Sequence, residues 1–102
     1  MLDTKIALLQ ALVSGESYGL ELIERVRTAS RGKVILFQGR VYPVLRELEE
    51  EGLLTSFDGE PRSDRGGRPR RYYKLTAAGR KAAIGDAQVI LALLRPALEG
   101  YR

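Results

Sequence analysis

A chain of 102 residues, 44% of them apolar, can bury roughly two-thirds of the surface its unfolded form exposes, which supports one modest core and excludes a multidomain reading. With no cysteine and no histidine, disulfide frameworks, Cys or His metal sites, haem ligation and every imidazole proton relay are ruled out, and most hydrolase chemistry goes with them. Seventeen basic against thirteen acidic side chains give a net charge of +4, whose place in the chain matters more than its size.

Taken in chain order, Asp3 to Ser14 reads as a helix ended by Gly15, with Leu2, Ile6, Leu9 and Val13 on one stripe and Leu8 and Leu12 widening it. Ser17 is placed to cap a second helix from Tyr18 to about Thr28, in which Tyr18, Leu22 and Val26 recur at helical spacing. Ser30-Arg31-Gly32 is a turn. Val34-Ile35-Leu36-Phe37 is too short for a helix and reads as a buried strand, able to pair with a later hairpin. A third helix is predicted from near Gly39 to Glu51, with Val41, Leu45 and Leu48 inward, Pro43 tolerated in the opening turn and Gly52 as the stop.

Leu53 to Phe57 and Arg71 to Leu75 then read as two strands joined by a Gly, Pro and Arg-rich stretch. Between Gly59 and Lys74 stand six basic residues, Arg62, Arg65, Arg68, Arg70, Arg71 and Lys74, against Glu60 and Asp64, so this stretch carries the whole net charge. A charge run can be merely a solvated loop. Here Gly66, Gly67 and Pro69 interrupt the run and Tyr72 and Tyr73 follow it, a composition suited to an extended arm that reaches phosphates. Alternation along the strand makes one of the two tyrosines core and the other outward, without saying which.

Thr76 caps a last helix through about Leu94, where Pro96 should bend or end it. Its apolar residues spread over more than half the circumference, more than one small domain can cover. Packing on its own core is one solution; packing against a second chain satisfies the arc better. The expectation is a two-fold homodimer held by Leu8, Leu12, Ile84, Ile90, Leu91, Leu94 and Leu98. The longest apolar run, Val89 to Leu94, has six residues against the roughly 20 of a membrane helix, and no charged-then-apolar leader opens the chain, so a soluble cytoplasmic protein is expected.

The order is that of a mainly α protein with a small antiparallel β wing: a winged helix-turn-helix over residues 1–76, followed by a C-terminal dimerisation helix over 77–102. The stretch Gly39-Arg40-Val41-Tyr42-Pro43-Val44-Leu45-Arg46-Glu47-Leu48-Glu49-Glu50-Glu51-Gly52-Leu53 resembles the signature of PadR-type transcriptional regulators. Ser17-Tyr18-Gly19, Gly67-Arg68-Pro69-Arg70-Arg71-Tyr72-Tyr73-Lys74-Leu75-Thr76 and Ala78-Gly79-Arg80 agree in order and spacing. The resemblance covers nearly the whole chain and implies a dimeric repressor whose third helix enters the major groove and whose wing lies on the adjacent minor groove or backbone. In one departure, Arg40 stands where the family commonly has a small hydroxyl residue, so base preference does not carry over there.

Roles follow from the chemistry of each side chain. Gln38 and Arg40, flanking Gly39 at the front of the third helix, have the short or bidentate groups that base edges need; Arg40 alternatively meets a phosphate or solvent. Val44 could offer methyls to thymine or simply pack in the core. Tyr42, in the turn that holds Pro43, has a ring for the core edge and a hydroxyl for a phosphate, as the resemblance also suggests. Tyr18 could act similarly beside the amides of the second helix. Arg65, Arg68, Arg70, Arg71 and Lys74 form the wing's phosphate-binding set, and Gly67-Arg68-Pro69 could enter a narrow minor groove. Glu47, Glu49, Glu50 and Glu51 would repel a backbone and belong at the solvent end of their helix.

The resulting expectation is a non-enzymatic, cofactor-free homodimer that binds double-stranded, palindromic DNA, with an apolar dimer cavity that could receive a small aromatic effector. The competing reading is a winged helix adaptor whose basic wing meets an acidic protein partner. An enzyme would have only Asp58, Glu60 and Asp64 for acid or base work, in a charged loop with nothing to position a substrate.

Overall fold

The computed structural model describes residues 3–61 and 68–100. Arg62, Asp64, Arg65, Gly66 and Gly67 of the predicted wing tip, and Leu2 of the first helical stripe, lie outside the described residues. The elements run α1 (Thr4–Leu12), β1 (Ser17–Tyr18), α2 (Gly19–Ala29), α3 (Gln38–Glu50), β2 (Leu54–Pro61), β3 (Pro69–Leu75) and α4 (Ala77–Gly100). This is a winged helix-turn-helix with a long C-terminal helix. The three strands form one antiparallel sheet in the order β1-β3-β2.

Local chemistry sets the ends of these elements. Asp3 caps α1, its Oδ1 accepting from the Ile6 N–H at 2.8 Å. Thr76 Oγ1 accepts from the Gly79 N–H at 3.0 Å and donates to the Gly52 carbonyl at 2.7 Å, so one hydroxyl caps α4 and ties its start to the end of α3. Gly52, at φ 78°, takes the left-handed conformation that stops α3.

One face of each of the first three helices meets the sheet. Leu8 and Leu12 of α1, Leu22 of α2, Val41, Leu45 and Leu48 of α3 and Leu54 of β2 are at most 1% exposed and form the core. Two expectations change here. Leu8 and Leu12 fill the protomer's own interior and cannot also face a second chain. Val44 is likewise sealed, 1% exposed, because the i, i+3, i+4 rule puts it on the face of Val41, Leu45 and Leu48.

The segment Val34–Phe37 is not a strand. One edge of β3 pairs with β2 and the other with β1, through Ser17↔Tyr73 and Tyr18↔Tyr72, which leaves Val34–Phe37 no open partner there. Its side chains still alternate: Leu36 is buried and Val34 packs on the core, while Ile35 and Phe37 stand out. Ser17 therefore serves the sheet rather than capping α2; its buried hydroxyl bonds Glu21, and Tyr18 becomes the N-cap residue.

Pro96 does not end α4, which continues to Gly100. The proline removes one helical hydrogen bond on a stretch where every residue from 91 to 100 is exposed, so water can serve the freed carbonyl. The N-terminal half of α4 is anchored on α1, where Ala83 is buried and its carbonyl accepts from Gln10 Nε2 at 2.8 Å.

Candidate nucleic-acid interface

The front of α3 is open. Phe37 is its N-cap residue, Gln38, Gly39 and Arg40 are exposed, and Tyr42 is partly so. The Tyr42 ring rests against Gly19, the first residue of α2, so closely that a side chain there would have to push the ring aside. The first turns of α2 and α3 are thus brought together by a missing Cβ.

The wing root joins them. Arg70, Tyr72 and Lys74 alternate onto one face of β3, the face that also meets Tyr18. The Arg70 guanidinium lies 4.3 Å from the Tyr18 ring centroid, a cation–π contact. Tyr18 meets Tyr72 edge-on at 5.5 Å, and Tyr72 stacks on Phe57 at 5.6 Å, so an aromatic row crosses the root of the hairpin. The alternation left open in the sequence is resolved: Tyr73 is the core residue and Tyr72 the outer one. Burial pushes the Tyr73 hydroxyl above its usual value of 10.0.

Tyr18, Gly19, Tyr42, Pro69, Arg70 and Arg71 line one cleft of about 240 Å³. Its wall includes the start of α2, where the N-cap residue supplies no side-chain bond to the helix amides. Two tyrosines, two arginines and a helix N-terminus are an anion-seeking combination.

The arginines of the hairpin do not share one role. Arg71 Nη2 donates to Ser56 Oγ at 2.7 Å, and Ser56 Oγ donates to Glu49 Oε2 at 2.6 Å, which links the wing to the later turns of α3. A longer pair joins Arg71 to Asp58 at 3.6 Å. Arg68 and Lys74 are exposed, and Arg65 lies outside the described residues. The acidic end of α3 is tied down as well, with Lys5 Nζ 2.8 Å from Glu51 and 3.7 Å from Glu47.

A second basic stretch escaped the sequence reading. Between Glu24 and Glu47 the chain has no acidic residue but carries Arg25, Arg27, Arg31, Lys33, Arg40 and Arg46. Arg25 is used internally, donating to the Ala11 and Gly15 carbonyls at the end of α1, and Arg27 pairs with Glu24. Arg31, Lys33 and Arg40 are exposed and pair with no carboxylate among the described residues. The signal is the gap in acidic residues, which a single sum over everything outside the hairpin hides.

A winged helix-turn-helix in which the front of α3 and the basic root of the hairpin share one cleft is the architecture of a class of transcription regulators. Within that class, the model of the transcriptional regulator PadR-like family matches residues 8–84, and the chain belongs to this family. It is 34% identical over 96 residues to the transcriptional regulator Rv3488 of Mycobacterium tuberculosis, covering 94% of this chain and 83% of that one. A transcriptional regulator from Clostridium thermocellum superposes with a TM-score of 0.75 at 21% identity, covering 96% of this chain and 92% of that one. A PadR family transcription regulator from hypervirulent Clostridium difficile gives a TM-score of 0.72 at 24% identity, with 93% and 97% covered. Both structures share the fold. The protein is a transcriptional regulator of a DNA-binding family, not an enzyme. Among the described residues no helix is long and apolar enough to cross a membrane.

Proposed function

We propose that the protein binds double-stranded DNA sequence-specifically as a two-fold homodimer and represses transcription from its site. In this reading the start of α3 lies in the major groove, and the wing lies on the neighbouring minor groove or backbone. The observation that carries it is the cleft where Tyr42 of α3, Tyr18 before α2 and Arg70 of β3 converge, because it puts both contacting elements on one side of the molecule. One backbone phosphate placed there would meet a guanidinium, phenol hydroxyls and helix amides together. Gln38 and Arg40 then face base edges, where an arginine bidentate to guanine O6 and N7 discriminates by about 1–3 kcal/mol.

The dimer reading rests on α4. Ile84, Leu91 and Leu98 recur every seven residues with Leu94 beside them, all between 48% and 62% exposed, and half-buried Ile90 borders the stripe. A second copy covers this stripe without new chemistry, and a two-fold pair calls for a palindromic site. Selection of duplexes from a randomised pool, followed by titration across salt, tests the whole reading. The expected winner is a palindrome whose affinity falls with salt by about 0.9 log units per log unit for each phosphate neutralised. Failure to retain any duplex at low salt overturns it.

A further inference from the structure

Phe37 is 70% exposed, although nothing in the protomer's own stability calls for a phenyl ring at that position. It is the N-cap residue of α3, where Ser, Thr, Asp or Asn would satisfy a helix amide, and it makes no such bond. Its backbone is nevertheless fixed: the Phe37 carbonyl accepts from both the Arg40 and Val41 N–H groups at 2.9 Å. The ring is therefore carried on a rigid helix start, beside Gln38, open Gly39 and Arg40. Ile35, 46% exposed, and the exposed cations of Arg31 and Lys33 flank it along the preceding segment. An apolar tip set among cations fits a surface that is anionic at its rim and offers apolar groups within. The major groove of DNA is such a surface, with phosphates at its edges and thymine 5-methyl groups on its floor.

We infer that Phe37 is a specificity-determining residue that packs against a thymine methyl at the edge of the site read by α3. The inference deepens the DNA-binding reading and rests on it. It also accounts for the absent cap: a hydroxyl at residue 37 would stabilise the helix but give up the apolar contact.

The test uses the full chain and the duplex it selects from a randomised pool, remade with deoxyuridine in place of each thymine in turn. Wild-type protein should lose about fourfold in affinity at one thymine of each half-site, the effect of withdrawing one buried methyl. Phe37→Ser should bind the thymine and uracil versions of that position equally while melting at the same or a higher temperature, since serine is the better cap. An unchanged uracil profile in Phe37→Ser, or no methyl-sensitive position in wild type, overturns the inference and leaves DNA binding standing. A change in sedimentation on Phe37→Ser also overturns it, by making the ring a subunit contact. If wild type selects no duplex, the DNA-binding reading fails and takes this one with it.

Discussion

Gly19 lies directly against the ring of Tyr42: a Cβ at residue 19 would stand 2.6 Å from both Cε1 and Cζ of that tyrosine. The obstructing atoms belong to the far end of a side chain that can swing, so Gly19→Ala should cost little stability. It should, however, turn the Tyr42 hydroxyl out of the cleft. A tyrosine–phosphate hydrogen bond, made to a charged acceptor, contributes about 1.5–3 kcal/mol, so its loss should lower DNA affinity by about tenfold or more with a near-constant melting temperature. Tyr42→Phe should give a similar loss, and the double variant little more. Full affinity in Gly19→Ala would separate Tyr42 from the backbone contact.

The two hairpin arginines Arg68 and Arg71 should separate in a salt titration. Arg68 is exposed, whereas Arg71 is engaged by Ser56 and, more loosely, by Asp58. Arg68→Ala should weaken binding to all duplexes alike and flatten the salt dependence by about 0.9. Arg71→Ala should instead loosen the hairpin, reducing amide-exchange protection in β2 and β3 with a smaller change in slope. Equal slopes for the two variants would show that the internal bonds of Arg71 are exchanged for phosphate on binding.

The sequence displayed the helices well because their marks are local: Thr76 as a cap, Gly52 as a stop and the periodic Leu22, Val26, Leu45 and Leu48. The sheet was half legible. Nothing in Val34–Phe37 reveals that the free edge of β3 is taken by Ser17 and Tyr18, since strand partnership is decided by three-dimensional position and not by β-propensity. The site shows the same division. The exposure of Gln38 and Arg40 followed from their place at a helix front, whereas the contacts of Arg70 with Tyr18 and of Arg71 with Ser56 join residues distant in sequence. Leu8, Leu12 and Val44 were misplaced for a related reason: an apolar side chain at helical spacing does not say which apolar neighbour covers it.

Gly79 is a close-approach position of another kind. A Cβ there would collide with the backbone carbonyl of Leu53, which also accepts the Thr76 N–H at 3.1 Å. A carbonyl held in a hydrogen bond cannot swing aside as a tyrosine ring can. Gly79→Ala should therefore destabilise the fold by about 1–3 kcal/mol, as overpacking does, despite alanine's better helix propensity. Chemical denaturation measures it; a stability equal to wild type would mean that α4 shifts along the sheet at no cost.

Tyr73 gives the alkaline limit. Its folded pKa is raised because burial disfavours the phenolate, with nearby Arg71 opposing the shift. Below the unfolded pKa, near 10, both states hold the proton and stability is unaffected. As pH rises beyond it, the unfolded chain releases a proton that the folded chain keeps, and stability falls. Tyr73→Phe should remove this part of the decline above pH 10 without changing the curve at neutral pH. Denaturation curves at pH 8 and above 10 compare the two, and parallel loss in both proteins would assign the decline to other groups.

Leu91 and Leu8 provide the sharpest contrast, since both were grouped in one interface by sequence and the structure separates them. Leu91 is 56% exposed on α4, and Leu8 is fully buried in the protomer. Leu91→Asp would place a charge in the proposed subunit contact, where leaving it unpaired is costly. Sedimentation should report monomers with helical circular dichroism largely retained. Leu8→Ala opens a cavity in the core and should lower stability by about 2–5 kcal/mol, while the protein that remains folded still dimerises. Dimers of Leu91→Asp at micromolar concentration would move the contact to the opposite side of α4, where Val89 and Leu93 are 60% and 76% exposed.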